Sequence, residues 1–232
     1  MSEPYASLLS RLAAAIVAFH PERIVRVAID GVDGAGKTTL ADGLAPAVAA
    51  RGRPTIRASV DDFHHPQAVR YARGRHSPEG FYLDSYDYDA LRQLLLDPLS
   101  PCGSGRYVAK HFDLENDKPF DLPSQLALPT AALIVDGIFL HRSELRPYWD
   151  LSIFLKVDFE ISIPRGAQRG PARDSPDPAA PLNQRYVGGQ KIYLGESAPE
   201  QRADIVIDYN DLREPRVLKW QMLSSPSPSR GG

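Results

Sequence analysis

The stretch VAIDGVDGAGKTTLA, residues 27–41, decides the fold. Its centre, Gly31-Val32-Asp33-Gly34-Ala35-Gly36-Lys37-Thr38, is an unbroken match to G-x-x-x-x-G-K-[ST]. Each residue type answers to a chemical need. Gly31, Gly34 and Gly36 let successive backbone N–H groups curl around phosphate oxygens where a Cβ would be in the way. Those donors join the positive end of a helix that begins around Thr38-Thr39. Lys37 supplies a mobile cation for β- and γ-phosphates, and the Thr38 hydroxyl is placed to ligate Mg²⁺. An apolar strand pattern enters the loop and a helical pattern leaves it, the context that separates a nucleotide site from a chance glycine-rich turn.

Outward from this loop, helical and strand patterns alternate. Leu8, Leu12, Ile16 and Phe19 form an apolar stripe on a first helix, closed by His20-Pro21. Residues 24–29 (IVRVAI) read as the strand before the loop. Residues 39–50 read as the helix after it, interrupted by Pro46. Residues 55–60 are the expected second strand, and further strands are expected at 133–135, 151–157 and 205–207. Their consecutive apolar residues suit strands covered on both faces, as in a parallel sheet flanked by helices. Intervening helices are expected at 86–96 and 182–194. Residues 97–129 are rich in Pro, Gly and Asp, with a strand pattern only at 106–112. So long an irregular excursion is expected to shape a binding site.

Composition narrows the function classes. The chain has 232 residues, 43% hydrophobic and 24% charged, enough apolar material for a core. A net charge of −2 provides no positive field to draw in nucleic acid or a membrane surface. One cysteine, Cys102, cannot form an internal disulfide, and the most apolar N-terminal stretch, 12–19, is too short to span a bilayer. A cytoplasmic protein is expected, with residues 1–223 as one domain built around this loop and the Ser/Pro/Gly-rich 224–232 as a disordered tail. No N-K-x-D stretch that would mark a GTPase is present, since Asn116-Asp117-Lys118 has these residues in another order. A small-molecule kinase remains, and it must position or activate an acceptor hydroxyl. Asp61-Asp62, following the second strand, stand where the ligand crevice of an open α/β sheet lies.

Taken in order, VAIDGVDGAGKTTLA, SVDDFHHP, SYDYDAL, LIVDGIFL, PRGAQRG, RYVGGQKIYL and ADIVIDYND resemble the uridine kinase / phosphoribulokinase family of P-loop kinases, which includes nicotinamide riboside kinases. The resemblance runs from about Val25 to Asp211. It implies a three-layer α/β fold with a mostly parallel sheet and a lid at about 160–185. It also implies ATP-dependent transfer of the γ-phosphate to a hydroxyl of a nucleoside, uridine- or cytidine-like. By this resemblance Asp61 acts as base or positioner, with Asp62 beside it on the acceptor side. Asp87 matches an aspartate that contacts ribose hydroxyls, although the residue alone equally suits a helix N-terminal charge. Asp136 occupies the place of the family's usual glutamate near Mg²⁺, with the same charge and a shorter reach. Arg165 and Arg169, four apart, match lid arginines that stabilise the transferring phosphoryl and help exclude water.

Two departures from the family pattern bear on the acceptor. Prolines at 164, 171, 176, 178 and 181 make a long lid helix hard to sustain, so the lid is either short and irregular or specialised, and Arg173 can share the role of the arginines. Uridine kinases carry an aromatic-Asp-aromatic stretch followed by a histidine. Here Phe112-Asp113-Leu114 is followed by Asp117, which can accept from an amino group or pair with a cation. Nicotinamide riboside, pantothenate, a sugar phosphate or a specialised metabolite are therefore alternative acceptors. A nucleotide-binding regulator with little transfer activity is an alternative of another class.

Overall fold

The computed structural model describes residues 3–168 and 175–221. Arg169, Arg173 and the tail at 224–232 lie outside the described residues. At the centre stand β1 (Val25–Gly31), β2 (Thr55–Ser59), β3 (Ala132–Gly137), β4 (Leu151–Lys156), β5 (Ile205–Asp208) and β6 (Arg216–Trp220). They form one sheet in the order β6-β5-β4-β1-β3-β2. All neighbours are parallel except β6, which pairs antiparallel with β5. The five consecutive apolar strand patterns thus form a parallel sheet, as the sequence implies.

Two hydrophobic clusters cover the sheet, one on each face. In β1, Val25, Val27 and Ile29 belong to one cluster and Ala28 to the other. β3 splits likewise, Ala132 and Ile134 against Leu133 and Val135. This alternation is the period-two geometry of a strand, with both faces buried. The first cluster takes in the Leu8–Leu12–Ile16 stripe of α1 (Glu3–Ala18) and Leu40, Leu44 and Val48 of α2 (Lys37–Ala49). α2 continues through Pro46 to its expected end. The opposite cluster receives Phe81 of α3 (Pro78–Asp84) and Tyr193 of α5 (Gln184–Ser197). Between β4 and α5 lies α4 (Phe159–Ala167), nine residues long with Pro164 inside it.

Two sequence expectations are corrected. Residues 86–96 are not one α-helix. The Asp87 carboxylate caps Ala90 N, so the helical turn begins at Tyr88, and Arg92–Leu96 winds on in wider π-type turns that bury Leu95 and Leu96. Residues 106–112 are not one strand. Arg106–Tyr107 pairs with Gln125–Leu126 and Phe112–Asp113 with Lys118–Pro119. Between them Val108 N is drawn to Leu94 O and His111 N to Asp62 O, which pulls the backbone off any common partner. α3 and β6 are additions. Ser77, with its hydroxyl accepting from Gly80 N and Pro78 at the first helical position, is a start signal for α3 that stands in the sequence.

The sheet's register brings the chemistry together. Ile29 of β1 and Ser59 of β2 both lie opposite Asp136 of β3. The carboxyl ends of these three strands therefore deliver residues 31–38, Asp61 and Asp136 to one edge, where ligands bind in open α/β sheets.

Candidate active site

The loop at 31–38 has the backbone its glycines permit. Gly34 and Gly36 sit at φ +73° and +93°, a region that side chains disfavour. A Cβ on Gly34 would lie 2.0 Å from the Ser162 carbonyl oxygen, so glycine also lets α4 settle directly on the loop. The loop is braced from behind by buried Asp30. Its Oδ1 accepts from Gly31 N at 2.7 Å, while Oδ2 meets His141 Nδ1 at 2.6 Å and the Tyr193 hydroxyl. A second brace comes from α5, where Gln190 Oε1 accepts from Asp33 N at 2.6 Å. Lys37 is buried, and its ammonium donates to Val32 O at 2.8 Å. An ammonium has three protons, so this single contact leaves donors for phosphate oxygens.

Thr38 and Asp136 meet as their sequence positions imply. The Thr38 hydroxyl donates to Asp136 Oδ2 at 2.6 Å. Asp136 Oδ1 is buried without a hydrogen bond, although Arg57 Nη2 lies 2.8 Å away in an ion pair. Arg57 also reaches Asp42 Oδ1 on α2 at 3.0 Å. A hydroxyl beside a carboxylate oxygen with spare accepting capacity is a donor set that fits Mg²⁺, which prefers few protein oxygens and completes its shell with water and phosphate. Among the described residues there is no cluster of three or more His, Cys, Asp or Glu side chains that would form a self-sufficient metal cage.

Asp61 lines a cavity of about 150 Å³ whose wall also includes Asp33 of the 31–38 loop. Ser59 accepts from Asp61 N, which starts the 3₁₀ turn Val60–Phe63 and turns the Asp61 carboxylate out from the strand end. The Tyr86 hydroxyl donates to Asp61 Oδ1 at 2.8 Å. Burial, reinforced by the Asp61 charge, pushes the Tyr86 pKa far up, so this hydroxyl remains a donor. His64 lines the same cavity, with its Nδ1 2.7 Å from Asp61 O and its ring 4.5 Å from that of Tyr86. Burial lowers the His64 pKa, with Asp61 pulling the other way.

The remaining sequence candidates fall elsewhere. Asp62 points to Lys110 at 3.3 Å, and burial raises its pKa against that cation. Asp87 serves as the helix cap described above, with its second oxygen 3.8 Å from His65 Nδ1. Phe112 is buried in its short hairpin, and Asp117 accepts from Gln67 N at 2.8 Å and from Arg70 at 3.3 Å. None of these four lines the cavity. Arg165 stands in the last turn of α4, and its guanidinium donates to the carbonyls of Tyr209 and Asn210. Tyr209 packs beneath Gly36, so Arg165 lies on the phosphate-loop side, away from the cavity.

Tyr86, Arg70 and Arg185, which line the cavity, and Arg57 and Gln190, which brace Asp136 and Asp33, are candidate residues beyond those the sequence singles out. Arg57 carried a signal, a lone cation inside an apolar strand. Tyr86, Arg185 and Gln190 come from motifs used above, but nothing local tells which side chains of those motifs converge, and Arg70 lies outside them.

No family model and no curated protein matches the chain in sequence. Its fold does match solved structures. A possible uridine kinase from Bacillus stearothermophilus superposes with a TM-score of 0.68 at 23% identity, over 87% of this chain and 97% of that one. D-glycerate 3-kinase from Cryptococcus neoformans var. grubii superposes with a TM-score of 0.54 at 11% identity, over 87% and 96%. The chain therefore has the α/β fold of P-loop kinases, in agreement with the family resemblance. No helix among the described residues is long and apolar enough to cross a membrane.

Proposed function

We propose that the protein is a small-molecule kinase that transfers the γ-phosphate of ATP to a hydroxyl of a metabolite seated in the cavity beside Asp61. The observation that carries this reading is the approach of two different chemistries. Asp33, inside the phosphate loop, and Asp61, at the end of β2, line one cavity. An acceptor there lies next to the phosphates that the loop would hold.

In this reading the loop amides and Lys37 bind the β- and γ-phosphates, Thr39 lies just inside α2, and α4 covers Gly34. Thr38 and Asp136 would hold Mg²⁺, which neutralises phosphate charge when bound. The acceptor oxygen forms the new P–O bond as the bond from γ-phosphorus to the bridging oxygen breaks, leaving ADP. Asp61 accepts the hydroxyl proton or orients the hydroxyl, and Tyr86 fixes the carboxylate through Oδ1. Arg165 and Arg169 are assigned to phosphate charge on closure of the lid.

The acceptor class follows less directly. The uridine-kinase resemblance supports a nucleoside such as uridine or cytidine, while the placement of Phe112 and Asp117 supports another metabolite. The test is to incubate the protein with Mg²⁺-ATP and a mixed acceptor panel, with Lys37→Ala as the blank, and to look for phosphorylated products by mass spectrometry. A product absent from the blank is expected. Tight ATP binding with no product from any acceptor would instead favour a nucleotide-binding regulator.

A further inference from the structure

A second cavity of about 120 Å³ shares Tyr71, Arg185 and Tyr186 as a common wall with the acceptor cavity. The two differ in charge. Asp33 and Asp61 border the first, together with Arg70 and Arg185. Arg75, His76 and Arg185 border the second, and no carboxylate is among its described lining residues. Tyr71 gathers the cations. The guanidinium carbons of Arg70 and Arg75 lie 5.4 Å from its ring centre, and that of Arg185 lies 4.9 Å away.

Three guanidinium groups around one ring repel one another, and their compensation is incomplete. Arg70 pairs with Asp117. Arg185 is 5% exposed, and its hydrogen bonds end on the backbone carbonyls of Arg70, Gly74, Arg75 and Ser77. These carbonyls engage only part of its five N–H donors, on Nη1 and Nη2, and leave its charge, which water screens poorly at that depth. Neither Arg75 nor Arg185 has an ion-pair partner among the described residues, although Arg70, Arg57 and Arg142 each do.

We propose that the acceptor carries an anionic group, a carboxylate or a phosphate, bound by Arg70, Arg75 and Arg185 around Tyr71 while its hydroxyl end faces Asp61 and Asp33. The substrate class would then be a small polyhydroxy acid or polyol phosphate. This inference rests on the kinase reading above and adds the polarity of the acceptor: carboxylates at the reacting end, guanidinium groups at the recognition end.

The experiment uses the full chain with Mg²⁺-ATP and three acceptor arms: polyhydroxy carboxylates, polyol monophosphates, and uncharged nucleosides and polyols. Product in one of the two anionic arms is expected, and which arm responds tells carboxylate from phosphate. For that acceptor, Arg75→Ala is expected to raise KM about ten-fold or more without changing KM for ATP, because it removes a charge-assisted contact. Arg75 is exposed, so this variant should fold even if substitution of Arg185 loosens the 70–77 segment. An uncharged acceptor used as efficiently as any anion would overturn the inference and leave the kinase reading standing. So would an unchanged KM in Arg75→Ala. Failure of every arm in a protein that still binds ATP would overturn both.

Discussion

In the proposed reading of the cleft, the phosphate side and the acceptor side are built in opposite ways. The phosphate side is one unbroken segment, residues 31–38, braced by Asp30 and Gln190. The acceptor side is assembled from Asp61, His64, Arg70, Tyr86 and Arg185, which the chain supplies from widely separated segments. A phosphate chain is the same ligand wherever it is bound, so one short loop of backbone amides can serve it. An acceptor differs from enzyme to enzyme, and its pocket is made where loops meet. The first side is therefore readable as a motif, and the second only once the chain is folded.

The sharpest way to separate the two sides is by substitution. Asp61→Asn is expected to lower kcat by about 10²–10⁴-fold, the usual contribution of a general base, with ATP affinity kept. Lys37→Ala is expected to lower kcat by about 10²–10³-fold and also to weaken ATP binding, because its charge acts on the phosphates. Steady-state kinetics beside ATP titration calorimetry distinguishes these two patterns. Identical loss of ATP binding in both variants would erase the distinction between the sides.

Stability tests probe the braces. Asp30→Ala strands three buried donors, Gly31 N, His141 and Tyr193, and is expected to cost about 3 kcal/mol or more in urea unfolding. Gly34→Ala is expected to cost about 1–3 kcal/mol from its positive φ, with further loss from the Ser162 contact. If ATP restores Gly34→Ala to wild-type stability, the loop is more compliant than its contact with α4 implies.

The smallest effect belongs to the acceptor side. Burial holds the His64 pKa below its ordinary 6.5, so below that pH the unfolded chain takes up a proton that the folded chain resists. Stability is thus fully present above about pH 6.5 and declines as pH falls through the lowered folded value. His64→Gln should flatten this part of the stability–pH curve, which urea midpoints at pH 7.5 and 5.5 would show.

Much of the fold was legible because strand patterns and the loop are local. The parallel sheet follows from consecutive apolar residues, as in residues 133–135, and the position of Asp61 follows from its place after β2. Asp136 and Thr38 were also legible, each lying in a motif, and the structure brings them within 2.6 Å. The acceptor wall was not. By the family resemblance Asp117 stands where a histidine is expected, yet its carboxylate is taken up by Arg70 and Gln67 N. Tyr86, one residue before Asp87, is the neighbour that reaches Asp61. A one-residue difference in which side chain faces the cavity depends on where the Tyr88–Leu91 turn begins, and that is set by tertiary contacts such as Asp87 N to Phe63 O.

The central claim is that an acceptor beside Asp61 receives phosphate from a nucleotide on the 31–38 loop. Its most direct test is mass-spectrometric detection of phosphorylated acceptor and ADP in equal amounts, comparing wild type, Lys37→Ala and Asp61→Asn. Equimolar products from wild type, and their near-complete loss in both variants, is the expected result. Undiminished transfer by Asp61→Asn would contradict it.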